Sequence, residues 1–308
     1  MTEKIIVTSY DGPDLDGTAS AIAYSDFLCQ NDKPAMPILT GKPHPEVKYL
    51  LNYLKIEFPT GKIGSKSQLV LVDTSDLPGL SKDINPDNVI EIIDHRKVTD
   101  ETSFKNAKRQ IEPVGAAATL IAERFYNNKI ELSKNSAFLL YGGIVSNTLN
   151  FKSNTTTDRD IVMADWLSKI AEAPKDIADT MLQTKTKEIL ANLEESLVDD
   201  MKIQEFGGLK IGILQLEITG SNILLGKLQE ISITLTEIKN QFELDEIFLT
   251  TIDLSDNLNL FISTEKETSQ MLESVLNIKF RDNYAIRQGI IMRKEIIPLI
   301  KEYYGSRS

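Results

Sequence analysis

The chain has 308 residues, 41% hydrophobic and 26% charged, which suits a globular protein with room for two hydrophobic cores. Its 45 acidic residues outnumber 34 basic ones, and the net charge of −11 argues against nucleic acid as a partner. The single cysteine, Cys29, excludes an intrachain disulfide. No run reaches the roughly 18 apolar residues of a membrane span, so no membrane contact is expected. The opening MTEKIIVTSY lacks the basic and apolar regions of a secretory signal, and a cytoplasmic location is the expectation.

In chain order, Lys4–Val7, Gln68–Val72 and Val89–Ile93 are short apolar runs with the look of buried strands. Helical patterns over Thr18–Gln30, Pro45–Leu54 and Gly115–Tyr126 lie between and after them. Strands alternating with helices predict an α/β fold with a doubly wound, mostly parallel sheet. Further helices are expected over Ser133–Leu149, Thr157–Ile170 and Lys175–Asp200, with a domain junction inside the last. The pattern then restarts as a smaller mixed α/β unit. Its strands are GLKIGILQLE, DEIFLTTIDL, NLNLFIST and Ala285–Met292, with helices at Ile223–Ile238 and Thr268–Leu276.

Parallel sheets place ligands beyond the carboxyl ends of their strands. Asp14 and Asp16 follow the first run, Asp73 ends the second, and Asp94 and His95 end the third. Taken singly, each has a bland explanation. Asp14 or, by its position, more naturally Asp16 caps the next helix; Asp73 sits in a turn; a lone histidine at a strand end is usually structural. Three separate segments bringing acidic groups to one sheet edge are harder to explain by capping. Clustered carboxylates repel unless a cation lies between them. Carboxylate oxygens with one imidazole suit Mn²⁺ or Mg²⁺. Neither a G-x-G-x-x-G fingerprint nor a P-loop is present.

The stretches GPDLDGTASA, LVDTSD and IIDHRKV resemble the first three motifs of the DHH phosphoesterase superfamily. EPVGAAATLIAE, LLYGGIVSNTLNFKSNTTTDRD and RQGIIMRKEIIPLI resemble family II inorganic pyrophosphatases and related exopolyphosphatases. The resemblance runs in order from about residue 5 to residue 300. It implies a metal-dependent phosphoanhydride hydrolase with a DHH domain over 1–187 and a DHHA2-like, substrate-clamping domain over 188–308. It further implies one or two Mn²⁺- or Mg²⁺-type ions in an interdomain cleft, and pyrophosphate or polyphosphate as the small anionic partner. A homodimer is left open.

Carried over residue by residue, the resemblance makes Asp14, Asp16, Asp73 and His95 metal ligands, with Asp73 bridging and Asp94 orienting His95. Arg293, Lys294 and Lys202 contact substrate, and Gln215 is structural. The departures fall in the same motifs: Tyr10, Thr74, Arg96, Asn147 and Met292 stand where the family has other residues. Two of the implied metal positions are altered, at Tyr10 and Asn147. Tyr10 is a poor ligand while protonated, and Asn147 can offer only a neutral carbonyl oxygen. Arg96 can bind phosphate but cannot shuttle protons near neutral pH. With Asp73 and His95 it completes the candidate catalytic set. Two outcomes follow from the substitutions: a working hydrolase of altered metal preference, or a weak relative that binds a phosphate-rich ligand as a regulator or sensor. A nucleotide phosphodiesterase is disfavoured, because no glycine-rich, histidine-containing motif lies near the C-terminus.

Overall fold

Strands rich in valine, isoleucine and leucine on both faces need cover on both faces. In the computed structural model, which describes residues 4–96 and 102–305, five such strands form an all-parallel sheet. They are β1 (Ile5–Thr8), β2 (Ala35–Pro37), β3 (Leu69–Val72), β4 (Val89–Asp94) and β5 (Lys108–Ile111), in the order β2-β1-β3-β4-β5. The order reverses between β1 and β3, which opens a crevice at their carboxyl ends.

The side chains alternate as strand geometry requires. Val7, Val70, Val72 and Ile93 join one core, while Ile6, Leu69, Leu71 and Ile92 join another with Ile38, Ile84 and Phe104. The first core is built by α1 (Leu15–Gln30), α2 (Pro45–Leu54), α3 (Ala117–Asn128), α4 (Lys134–Asn147) and α5 (Asp158–Ala171). A Cβ at Gly142 would sit 2.6 Å from Leu50 Cδ2, so this glycine lets α4 pack closely.

The chain divides into two compact units, Met1–Thr184 and Lys185–Ser308, with α6 (Ile177–Ala191) running from one into the other. The second unit holds a mixed sheet in the order β10-β9-β8-β7-β6. Its strands are β6 (Met201–Phe206), β7 (Leu209–Ile218), β8 (Glu246–Asp253), β9 (Leu258–Ile262) and β10 (Tyr284–Gln288). Only β7 and β8 pair in parallel. One face packs on α10 (Lys266–Leu276) and α11 (Arg293–Gly305), the other on α7 (Leu193–Asp199) and α9 (Leu228–Gln241). No helix among the described residues is long and apolar enough to cross a membrane.

The parallel α/β fold and the mixed second sheet agree with the sequence expectation, while several elements differ in detail. The helix expected over Lys175–Asp200 breaks at Asn192, whose φ −129° and ψ 51° leave the helical region. The helix expected over Ile223–Ile238 is split into a single turn, α8 (Asn222–Leu225), and α9, interrupted at Lys227. The last strand stops at Gln288, because Gly289 adopts φ +78° and turns its N–H to the Asn257 carbonyl. Helix α11 and the strands β2, β5 and β6 have no counterpart in the sequence reading. Pro298 lies inside α11 and removes one helical donor. Residues Lys97 and Val98 of the third motif lie outside the described residues.

Asp160 ties the starts of α3 and α5 together. Its buried carboxylate accepts from Gly115 N–H, the Thr119 hydroxyl, and the N–H and hydroxyl of Thr157, all within 3.0 Å. Asp160→Ala leaves these donors without their acceptor and should cost about 3 kcal/mol or more in urea unfolding. Asp160→Asn retains one acceptor oxygen and should cost less.

Candidate metal centre

The loop after β1 enters α1 through Asp14, not through Asp16 as its position in sequence suggests. Asp14 has the extended backbone of a cap (φ −77°, ψ −171°), and its Oδ1 accepts from Gly17 N–H at 2.9 Å. Helix α1 therefore begins three residues before the expected Thr18. Asp16 falls in the first turn and points elsewhere. Its two carboxylate oxygens accept from the N–H groups of Ala117 and Ala118, each at 2.7 Å. Those donors open α3, whose own N-cap residue, Ala116, has no side-chain acceptor. Asp16 thus caps a helix about one hundred residues away and places its charge at that helix's positive end.

Asp73 ends β3 in the left-handed region, at φ +56°. Such a conformation costs a non-glycine residue roughly 1–2 kcal/mol and is most accessible to Asp and Asn. Its N–H continues the ladder to the Ile93 carbonyl, and the carboxylate turns inward, 3% exposed. Gly17 provides the space: a Cβ there would lie 2.5 Å from Ser9 Oγ and 3.3 Å from Asp73 Oδ2. His95, just beyond β4, has Nδ1 3.0 Å from the Val114 carbonyl. A carbonyl only accepts, so Nδ1 carries the proton and Nε2 is left facing the carboxylates. Nε2 lies 3.3 Å from Asp73 Oδ1 and 3.9 Å from Asp16 Oδ2.

Asp16, Asp73 and His95 each offer a donor atom within 4.8 Å of the others, and they are the one such group among the described residues. Burial and the neighbouring Asp73 charge push the Asp16 carboxyl well above the usual range. Burial and the Asp14 charge raise Asp73 to about 6. Burial works against the His95 imidazolium, but the hydrogen bond and charge of Asp73, with the charges of Asp16 and Asp94, outweigh it and raise the pKa to about 9. The cluster attracts a positive charge, and without a metal that charge is a proton on Nε2. Nε2 lies 3.3 and 3.9 Å from the two carboxylates, and all three donor atoms lie within 4.8 Å of one another, a spacing that one cation can bridge. The donor set therefore fits a hard divalent cation.

The other expected ligands behave differently. Asp14 caps α1 and is not among the converging donors. Asn147, at the end of α4, was expected to offer its carbonyl oxygen. Instead it turns its amide nitrogen inward, 3.1 Å from Asp16 Oδ2, 3.2 Å from His95 Nε2 and 2.9 Å from the Gly115 carbonyl. Asp94 does not orient the imidazole. Its Oδ1 accepts the backbone N–H of His95 at 2.8 Å and of Arg96 at 3.3 Å, shaping the turn, while Val114 sets the ring. The Arg96 guanidinium bonds Asp94 Oδ1 through Nε at 3.3 Å and the Asp73 carbonyl through Nη2. It also lies 5.9 Å from the centre of the Tyr10 ring. The Tyr10 hydroxyl accepts from Asp14 N–H at 3.0 Å; burial, then the charges of Asp14 and Asp73, push its pKa well up. Thr74 is buried.

Lys202, Arg293 and Lys294 belong to the second unit. Lys202 and Lys294 are exposed. Arg293 is committed within its own unit: Nη2 bonds Asp200 Oδ1 at 2.8 Å, and Nη1 bonds the Asp200 and Ile213 carbonyls. Gln215, expected to be structural, accepts from Arg293 N–H through Oε1 at 2.7 Å. The sequence reading missed the groups that act through backbone: the Val114 and Gly115 carbonyls and the Ala117 and Ala118 N–H groups.

Comparison with known proteins identifies the family. Residues 4–144 match the DHH family N-terminal domain, and residues 179–303 match the DHHA2 domain. A manganese-dependent inorganic pyrophosphatase of Methanothrix thermoacetophila is 30% identical over 99% of both chains. The chain belongs to the manganese-dependent inorganic pyrophosphatase family. The Bacillus subtilis member of the family is 27% identical over 97% of this chain and 98% of its own. A crystal structure from Methanococcus jannaschii, assigned to family II of the inorganic pyrophosphatases, superposes with a TM-score of 0.76 at 29% identity, covering 98% of this chain and 99% of that one. An exopolyphosphatase-related protein from Bacteroides fragilis shares the fold at a TM-score of 0.53 and 14% identity, over 99% of this chain and 92% of its own.

The raised pKa of His95 gives a signed pH dependence. Its stabilising contribution is complete below an unfolded value of about 6.5 and is lost as pH rises through about 9. In chelator-treated protein, the melting temperature of wild type should exceed that of His95→Gln most at pH 6. The gap should shrink as the pH is raised to about 10.

Proposed function

We propose that the protein hydrolyses the phosphoanhydride bond of pyrophosphate, and of short polyphosphates less readily. A divalent cation, Mn²⁺ or Mg²⁺, would be held by Asp16, Asp73 and His95. The observation that carries this reading is the convergence of two buried carboxylates and a part-buried imidazole, from the segments that follow three strands, with a histidine tautomer fixed so that Nε2 faces the carboxylates. The manganese-dependent pyrophosphatases of Methanothrix thermoacetophila and Bacillus subtilis, matched along their whole length, support the substrate and favour Mn²⁺. Such a cation, when bound, supplies Lewis acidity toward water and phosphate oxygens.

The chain's own residues divide the remaining work. Asp16 and Asp73 contribute anionic oxygens, and Val114 keeps the His95 proton on Nδ1 so that Nε2 is free once its proton leaves. Arg96, half exposed, has guanidinium hydrogens beyond those bonded to Asp94 and Asp73. These suit a phosphate oxygen and stabilise developing charge, but they cannot transfer a proton near pH 7. Lys202 and Lys294 are the cations assigned to the substrate's outer oxygens. Arg293 contributes charge while most of its hydrogen bonding stays with Asp200. In functional terms, residues 1–187 bind metal and residues 188–308 bind substrate.

The test is phosphate release from pyrophosphate and tripolyphosphate with Mn²⁺, Mg²⁺ or Co²⁺. Turnover of pyrophosphate should be fastest with Mn²⁺. Asp73→Asn should lower kcat by more than the roughly 10–100-fold typical of changes outside the ligand set. Metal-independent turnover would sink the metal-dependent mechanism, and undetectable turnover would sink the hydrolase assignment and leave a phosphate-binding protein.

A further inference from the structure

We propose that the centre has one resident divalent cation, and that Tyr10 and Arg96 together fill the adjoining position with a fixed monovalent charge. The inference rests on the metal-dependent reading above and narrows it to a stoichiometry.

Its basis is how the polar groups beside the cluster are used. Only Asp16, Asp73 and His95 converge among the described residues. Asp14 has Oδ1 on Gly17 N–H, at 2.9 Å. The Tyr10 oxygen accepts from Asp14 N–H at 3.0 Å, and burial beside Asp14 and Asp73 keeps it a neutral phenol, a weak donor to a hard cation. Asn147 presents N–H hydrogens, which repel a cation. Asp94 has Oδ1 occupied by three donors, and its buried Oδ2, without a hydrogen-bond partner, lies in the field of Arg96.

Arg96 is anchored at three points: the Asp94 carboxylate, the Asp73 carbonyl and the Tyr10 ring. Its charge acts on the same Asp73 carboxylate that a second dication would have to share. A second ion would therefore meet a resident cation, and among the described residues no second group of donors converges to hold it. The Tyr10–Arg96 pair is the device that sets the count: the ring lies 5.9 Å from the guanidinium, and the guanidinium replaces a dication with a charge that neither dissociates nor exchanges.

Calorimetric titration of the metal-free, full-length protein with Mn²⁺ tests this, in the absence of substrate. Wild type should saturate at one equivalent, and Asp73→Ala should take up none. The double variant Tyr10→His, Arg96→His should bind a second equivalent, with circular dichroism confirming that it is folded. Two equivalents in wild type would overturn the inference while leaving the metal-dependent reading intact. No uptake by wild type would instead remove that reading. A folded double variant that still binds one equivalent would show that Tyr10 and Arg96 do not set the count. Electron paramagnetic resonance of wild type with two equivalents of Mn²⁺ gives a check that needs no variant. A mononuclear signal plus free ion is expected, and a spin-coupled pair would overturn the proposal.

Discussion

The carboxylate of Asp16 is the interaction on which the first unit's site depends. A buried anion is costly unless hydrogen-bonded or paired. Asp16 meets that condition with the first two N–H groups of α3, donors that a helix start leaves unsatisfied and that Ala116 cannot serve. One contact thus removes two liabilities, an unpaired buried charge and an uncapped helix. It also fixes α1 against α3, so the position of the anion is set by two rigid elements. Asp16 Oδ2 also lies 3.1 Å from the Asn147 amide nitrogen, so the anion joins the end of α4 to the same point.

Asp73 shows the complementary principle. Its left-handed backbone is held by the ladder bond to Ile93, by the guanidinium on its carbonyl and by the missing Cβ of Gly17. A strand continuing in extended conformation would send the next side chain to the opposite face. The change of sign in φ turns the carboxylate into the crevice, and the conformational cost is the kind concentrated at functional positions.

How much of this was legible in the sequence depended on whether the signal lay in side chains. Apolar runs marked β1, β3 and β4, because both their faces are covered. The same rule hid β5, whose KRQI lies at a sheet edge, and β2, a three-residue edge strand ending in Pro37. The acidic and imidazole groups at the strand ends were visible as residue types, and Asp16, Asp73 and His95 do converge. Their division of labour was not visible. Asp14 and Asp16 are near-equivalent as caps by spacing alone, and only the distant start of α3 separates them. The partners of His95 and Asn147 are backbone carbonyls of EPVG, which no side-chain pattern reveals.

The two arginines of the motifs show why residue identity alone does not specify a role. Both satisfy backbone carbonyls: Arg96 that of Asp73, and Arg293 those of Asp200 and Ile213. Strand ends and turns leave such acceptors without ladder partners, and a guanidinium with five donors can serve them while keeping its charge. A lysine has no planar fork for this geometry, and Lys202 and Lys294 stay exposed. Charge and hydrogen-bonding capacity are therefore separable. Arg293, 11% exposed and held by Asp200, keeps its charge with few donors to spare, whereas the two lysines keep theirs exposed.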